Sequence, residues 1–277
     1  MYSMSKYKFF EYKKFIEGYK GEDFMGTCIK IYLFVAILTI ILLCVKLRKC
    51  SHRKIDIYLK VLSIFIPIHE VIKIIWESCW DIKTGSGFNF TGLLPLYTCS
   101  LFIFILPFAA WCKGKVRESA LSFLTTLSIF AGLTNFLMPA ILNTYPFFTY
   151  ATFVSLDFHF LMVFTGIFLV STGYYVPKKL TNIILAWIPV GLFSILAYAA
   201  NNIWKGSDYM LITTGGAAPL LPQISSFLNG LHLNILFTAF VLLLYALIIA
   251  LMIGLYNLIG YINKSVKNAK LNKKVNN

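Results

Sequence analysis

Two side chains stand where the sequence could generate a nucleophile. Cys99 lies in the run Leu94-Pro95-Leu96-Tyr97-Thr98-Cys99-Ser100, and His159 in Asp157-Phe158-His159-Phe160, each within an otherwise apolar stretch. A thiol attacks a carbonyl carbon as its thiolate, so it needs a neighbouring base or a positive field. A buried cysteine without either behaves as a small hydrophobe. Ser155 and His159 are four apart and share a helix face, whereas Asp157 and His159 are two apart and do not. Asp157, Tyr97, Thr98 or Asn234 could orient the imidazole or donate to an oxyanion.

Other polar groups interrupt apolar runs in the same way. His69, Glu70 and Lys73 fall in one such run, with Glu77 about a turn further on. Glu70 and Lys73 are spaced i, i+3 and can meet on one helix face. Two readings stay open: an internal ion pair that neutralises two costly charges, or the polar wall of a cavity. Proline in the first turn of a helix is tolerated, which fits Pro95 at the start of a span. Asn135 and Pro139 should end or kink another. Asn229, His232 and Asn234 open the last run. Glu70, Lys73, Tyr97, Asp157 and His232 are therefore candidate substrate-binding residues beside the candidate catalytic pair Cys99 and His159.

The elements that must position these groups follow from composition. Of 277 residues, 58% are hydrophobic and only 13% charged, which excludes a soluble enzyme, a disordered chain and a disulfide-stapled module. The expectation is an all-α polytopic membrane protein, a bundle of about seven transmembrane helices. The apolar stretches run roughly over 28–46, 56–76, 92–112, 119–141, 150–173, 181–200 and 232–260. The chain divides into an amphipathic N-terminal segment (1–27), a transmembrane domain (28–260) and a basic tail (261–277). Phe9, Tyr12, Phe15, Ile16 and Tyr19 lie near one helical face, the pattern of a helix lying on a membrane. That segment is aromatic and charged and the first apolar run carries no small-residue cleavage site, so no signal peptide is expected.

The net charge of +14 comes mostly from basic loops at the ends of apolar runs: Lys46 to Lys54, Lys113 to Arg117, Lys178 and Lys179, and the tail from Lys264. Alternate loops are poor in Lys and Arg. This is the signature of cytoplasmic loops, not of a nucleic-acid surface. The chain is expected to be multi-pass in the cell membrane, with its N-terminus external and its C-terminus cytoplasmic. Membrane lipids are the expected partners, no nucleic acid is, and the sequence sets no oligomeric state. The six cysteines form no CxxC pair, so neither a disulfide framework nor a metal site is expected, and no cofactor is called for. The longest external loop, about 201–230, is long enough to serve as a lid.

The stretches His69-Glu70-Val71-Ile72-Lys73-Ile74-Ile75-Trp76 and Leu93-Leu94-Pro95-Leu96-Tyr97-Thr98-Cys99-Ser100-Leu101 resemble the YwaF-like bacterial integral membrane proteins. Those carry an LPLHLC run at the start of a span. Asp157-Phe158-His159-Phe160 is similar to their intramembrane histidine segment, and Asn201-Asn202 with Asp208-Tyr209-Met210 to their N…NYM loop. The resemblance covers roughly residues 30 to 260 and adds Asn202 and Tyr209 to the candidate binding residues. It extends to the eukaryotic transmembrane protein 164 family, which implies a lipid acyltransferase using a membrane-embedded cysteine and histidine, moving acyl chains between phospholipids. Cys99 would then be the nucleophile and His159 the base. Tyr97 departs from the pattern, standing where the bacterial proteins have histidine.

Three readings fit the residues: acyl transfer through a Cys99 thioester, a non-catalytic transporter or small-solute-binding protein, and a scaffold whose polar groups only cap and pair helices.

Overall fold

The computed structural model describes residues 8–12, 21, 26–85, 93–204, 208–212, 223 and 234–275. Eight helices and two short 3-10 turns account for most of them, and no strand occurs among the described residues. In chain order they are α1 (Thr27–Leu47), α2 (His52–Lys83), α3 (Leu101–Trp111), α4 (Gly114–Leu124), α5 (Leu127–Leu137), α6 (Tyr150–Ser171), α7 (Thr181–Ile203) and α8 (Asn234–Val275). The 3-10 turns cover Ala140–Asn143 and Tyr209–Leu211. The fold is an all-α polytopic membrane bundle.

Among the described residues five helical segments are long and apolar enough to cross a membrane: α1, α4 with α5 as one interrupted rod, α6, α7 and most of α8. The two remaining rods are α2, which carries the polar residues, and the short α3. These seven rods match the seven apolar runs of the sequence. Their outer faces are apolar, as a lipid solvent demands: Phe34, Leu38, Ile41 and Val45 on α1, and Leu243, Leu247 and Leu251 on α8, are all exposed. α8 runs unbroken from Asn234 to Val275. At 1.5 Å per residue it is about 63 Å long, twice a bilayer core of about 30 Å. The basic tail is thus the continuation of the last membrane helix.

α4 and α5 are one rod broken at Thr125-Thr126, with neither proline nor glycine at the break. The Thr125 hydroxyl donates to the Leu121 and Ser122 carbonyls, and Thr126 to Ser122. Such back-bonding bends a helix. The Tyr256 hydroxyl of α8 donates to the freed Thr125 carbonyl, which a lipid environment could not have satisfied. The expected end near Asn135 and Pro139 is also present, as α5 stops at Leu137.

At the basic end, Arg117 of α4 pairs with Asp56 of α2 and with Tyr174 after α6, and the Tyr174 hydroxyl donates to Asp56. Burial and the Asp56 bond push the Tyr174 phenol up to about 12, so it stays protonated and donating at neutral pH. At the opposite end residues 8–12 form a turn. Tyr12 is buried, stacked on Trp80 and edge-on to Trp76, and donates to Asp81. The Phe9 carbonyl accepts from the Tyr150 amide at the start of α6. The candidates Phe15, Ile16 and Tyr19 lie outside the described residues.

Candidate functional site

Helix α6 brings His159 into the interior. Gly132 of α5 faces it: a Cβ there would lie 2.6 Å from Val163 Cγ2 and 3.1 Å from the His159 carbonyl. The missing side chain lets the two backbones approach, as small residues do in membrane bundles. His159 is only 5% exposed. Its Nδ1 lies 2.7 Å from the Ser155 carbonyl, which can only accept, so Nδ1 carries the proton. That fixes the tautomer and leaves a lone pair on Nε2. Nε2 is buried and has no hydrogen-bond partner among the described residues. A buried imidazole with a free lone pair is chemically a base awaiting a proton.

Cys99 sits in a turn rather than in a helix, which revises the reading of span three. Leu94 to Leu96 are non-helical, the Ser100 amide bonds the Tyr97 carbonyl, and α3 begins only at Leu101. Pro95 therefore precedes the helix instead of opening it. Cys99 is half-buried and packs against the main core.

The turn is held from two sides. Tyr245 of α8 has one proton, and the Met210 carbonyl, 2.6 Å away, can only accept it. The Thr98 hydroxyl, 2.8 Å from the same phenol oxygen, must then donate. Tyr97 meets Tyr209 edge-on at 5.5 Å between ring centroids. Tyr209, Met210 and Ile212 are fully buried. Met210 and Leu211 adopt left-handed φ values of 59° and 55°, a conformation that costs about 1–3 kcal/mol per residue and persists only where the surroundings impose it.

Asn201 imposes it. Its side chain accepts from the Tyr209 amide at 2.8 Å and donates to the Tyr209 carbonyl at 3.2 Å. Asn201→Ala should destabilise by about 2 kcal/mol or more, since each buried backbone group left unpaired costs about 1–3 kcal/mol. The neighbouring candidate, Asn202, is exposed and bonds only the Tyr198 carbonyl one turn back. Asn202→Ala should stay within about 0.5 kcal/mol of wild type. Thermal unfolding of the two variants in one detergent separates the assignments.

Glu70 and Lys73 form the expected pair at 2.6 Å. They continue the buried stripe Ile55, Leu59, Leu62 and Ile66 along α2, so the helix face that is apolar at the basic end turns polar at the other. The Lys73 ammonium lies within electrostatic reach of Cys99, His159 and Tyr150. It is thus the charge shared by thiol and imidazole. No hydrogen bond joins Cys99 to His159 among the described residues. Asp157 is exposed on the opposite side of α6 and interacts with His69 instead. His232 and Asn229 lie outside the described residues, as does the Asn234 side chain.

A profile of the TMEM164 family matches residues 24–256, which is most of the chain and all of the site just described. The chain belongs to the TMEM164 family. No characterised protein and no solved structure matches it. The TMEM164 match begins just before α1 and ends at Tyr256, whose hydroxyl caps the broken rod.

Proposed function

We propose that this TMEM164-family protein is a membrane-embedded acyltransferase with Cys99 as nucleophile and His159 as base. The observation that carries the reading is the His159 imidazole: buried, fixed by Ser155 with its proton on Nδ1, and presenting an unpartnered Nε2. Nε2 takes the Cys99 proton. The thiolate attacks an acyl ester carbonyl, the C–S bond forms, and the C–O bond to glycerol breaks as the imidazolium returns its proton to the leaving alkoxide. A lysolipid hydroxyl then gives its proton to Nε2 and attacks the thioester; a new C–O bond forms and the thiolate leaves.

Lys73, paired with Glu70, places positive charge near both the thiol and the imidazole, which favours thiolate and oxyanion and hastens return of the proton from the imidazolium to the leaving alkoxide. Tyr97, exposed and braced edge-on by the buried Tyr209, offers an aromatic face to an acyl chain. Thiol and imidazole close on each other when substrate binds, as catalytic hydrogen bonds often do. The same reading places the chain in the cell membrane with its basic end cytoplasmic, which leaves its N-terminus external.

Thiol reactivity tests it. In the full-length protein in detergent, an acyl-mimetic electrophile with a lipid tail should label Cys99 ahead of Cys79, which is exposed. His159→Ala should slow Cys99 labelling by about 10²-fold or more. Labelling of Cys99 no faster than Cys79, or a rate indifferent to His159, would sink the acyltransferase reading.

A further inference from the structure

Asp157 is left out of the chemistry above, and its surroundings suggest a second site. It lies 200° around α6 from His159 and is exposed, in a helix that crosses the membrane. Seven residues separate it from Tyr150 at the helix end, about 10 Å of depth. A carboxyl facing lipid within a span is costly, up to about 2.5–3.5 kcal/mol at the helix centre on insertion scales, and marks a functional position by default. Asp157 has no hydrogen bond and no ion pair among the described residues; His69 is within electrostatic reach.

The two line one cavity of about 230 Å³ between α2 and α6, walled by Phe65, Phe158, Phe160 and Leu161. His69 stacks on Phe65, which is half exposed beside the exposed Ile68 and Ile72. The groove therefore opens onto the lipid-facing surface. Its volume is several times the ~30 Å³ share of one water: room for a glycerol unit, with acyl chains left against the apolar flank.

We propose that this groove binds the free hydroxyl of a neutral glycerolipid, a diacylglycerol. A hydroxyl both donates and accepts, so it suits a carboxyl beside an imidazole: it donates to Asp157 and accepts from His69. A phospholipid does not suit the site. Its phosphate would be drawn some 10 Å into the hydrocarbon and set against a carboxylate. A quaternary ammonium has no proton to donate. The site is separate from the acyl-transfer reading and does not depend on it.

The probe is a diacylglycerol with a photoactivatable group in one acyl chain, added to the full-length protein in phosphatidylcholine nanodiscs. Labelling is expected on the segments around Phe65 and Phe158. Unlabelled diacylglycerol should compete, and its methyl ether should compete three- to tenfold less well, the range set by one hydrogen bond in a membrane protein. Asp157→Ala should lower labelling by the same factor. Asp157→Asn, whose amide oxygen still accepts, should retain most of it. Both variants should fold, because Asp157 makes no hydrogen bond that they remove. Equal competition by the methyl ether, or unchanged labelling in Asp157→Ala, overturns the proposal. So does stronger competition by a long-chain amine, which would assign the groove to a cation. So does a cross-link between two copies of the chain at these segments. Cys99→Ala should label as wild type does; loss of labelling there would make the groove part of the acyl-transfer site and end the claim of a separate one.

Discussion

Cys99→Ala is expected to leave no acyl transfer above background, and His159→Ala to slow it about 10²–10⁴-fold, the range of one general base. The double variant should be no slower than Cys99→Ala alone, because the two groups act as a unit. The assay is transfer of a labelled acyl chain from a phospholipid to a lysolipid by the purified protein in mixed micelles. Both variants should still fold. Cys99 is half-buried at the edge of the core, so removing its sulfur leaves little cavity. His159 makes one side-chain hydrogen bond, within its own helix. Unfolding temperatures near wild type therefore separate lost chemistry from lost structure. His159→Gln, which cannot serve as a base but can still donate to the Ser155 carbonyl, should be as slow as His159→Ala. Full transfer by Cys99→Ala would remove the thioester. Unimpaired transfer by His159→Ala would keep the thiol and move the base elsewhere.

How far the fold was legible in the sequence follows from which forces write themselves into composition. A membrane helix must bury its own backbone bonds and coat itself in apolar side chains, so each rod left a run of about the right length. The ends of α1, α6 and α7 accordingly fall within a few residues of the apolar runs 28–46, 150–173 and 181–200. The break in the fourth rod was not legible. It is made by threonine hydroxyls and a tyrosine from α8, and threonine in an apolar run reads as an ordinary helical residue. The non-helical start of span three was hidden for a related reason. Leu94-Pro95-Leu96 is as apolar as a helix, and the Tyr245 hydroxyl that anchors the following Thr98 lies more than a hundred residues away.

The site was legible where local spacing decides and obscure where a distant contact does. The spacings of Ser155 with His159, Asp157 with His159, and Glu70 with Lys73 each anticipated a face or a pair that the structure contains. Asn201 and Asn202 carry the same side chain, and one step of 100° along α7 decides which of them reaches the buried Tyr209 turn. Met210 and Leu211 adopt a backbone conformation for which glycine or asparagine is the usual signal, and neither is present. Tyr245, in the middle of the longest apolar run, gave no sign that its hydroxyl bridges two segments. A search for tyrosines one helix face away from the lipid-facing leucines of that run would have found it.

A structural effect that reaches the site is expected at a glycine. A Cβ on Gly166 of α6 would overlap Ile129 of α5 and stand 2.5 Å from the Leu124 carbonyl at the end of α4. An isoleucine can turn aside, but the Leu124 carbonyl belongs to the break that Thr125, Thr126 and Tyr256 hold in place. Gly166→Ala must therefore push α6 away from the broken rod, at about 1–3 kcal/mol for overpacking. In an open helix the same change stabilises by about 0.5–1 kcal/mol. Gly254 of α8 is such a place, with nothing within 4 Å of its would-be Cβ, so Gly254→Ala should raise the unfolding temperature while Gly166→Ala lowers it. Ile129→Val added to Gly166→Ala should recover only part of the loss, since it relieves the side-chain overlap and not the backbone one. Complete recovery would show that the carbonyl moves freely and that the break is not a rigid strut. The displacement also reaches the site. His159 lies seven residues, two turns, from Gly166 on the same face of α6, and its own carbonyl is the atom that Gly132 leaves room for. Gly166→Ala should thus slow acyl transfer well beyond what its fraction of unfolded protein explains, although it touches neither Cys99 nor His159.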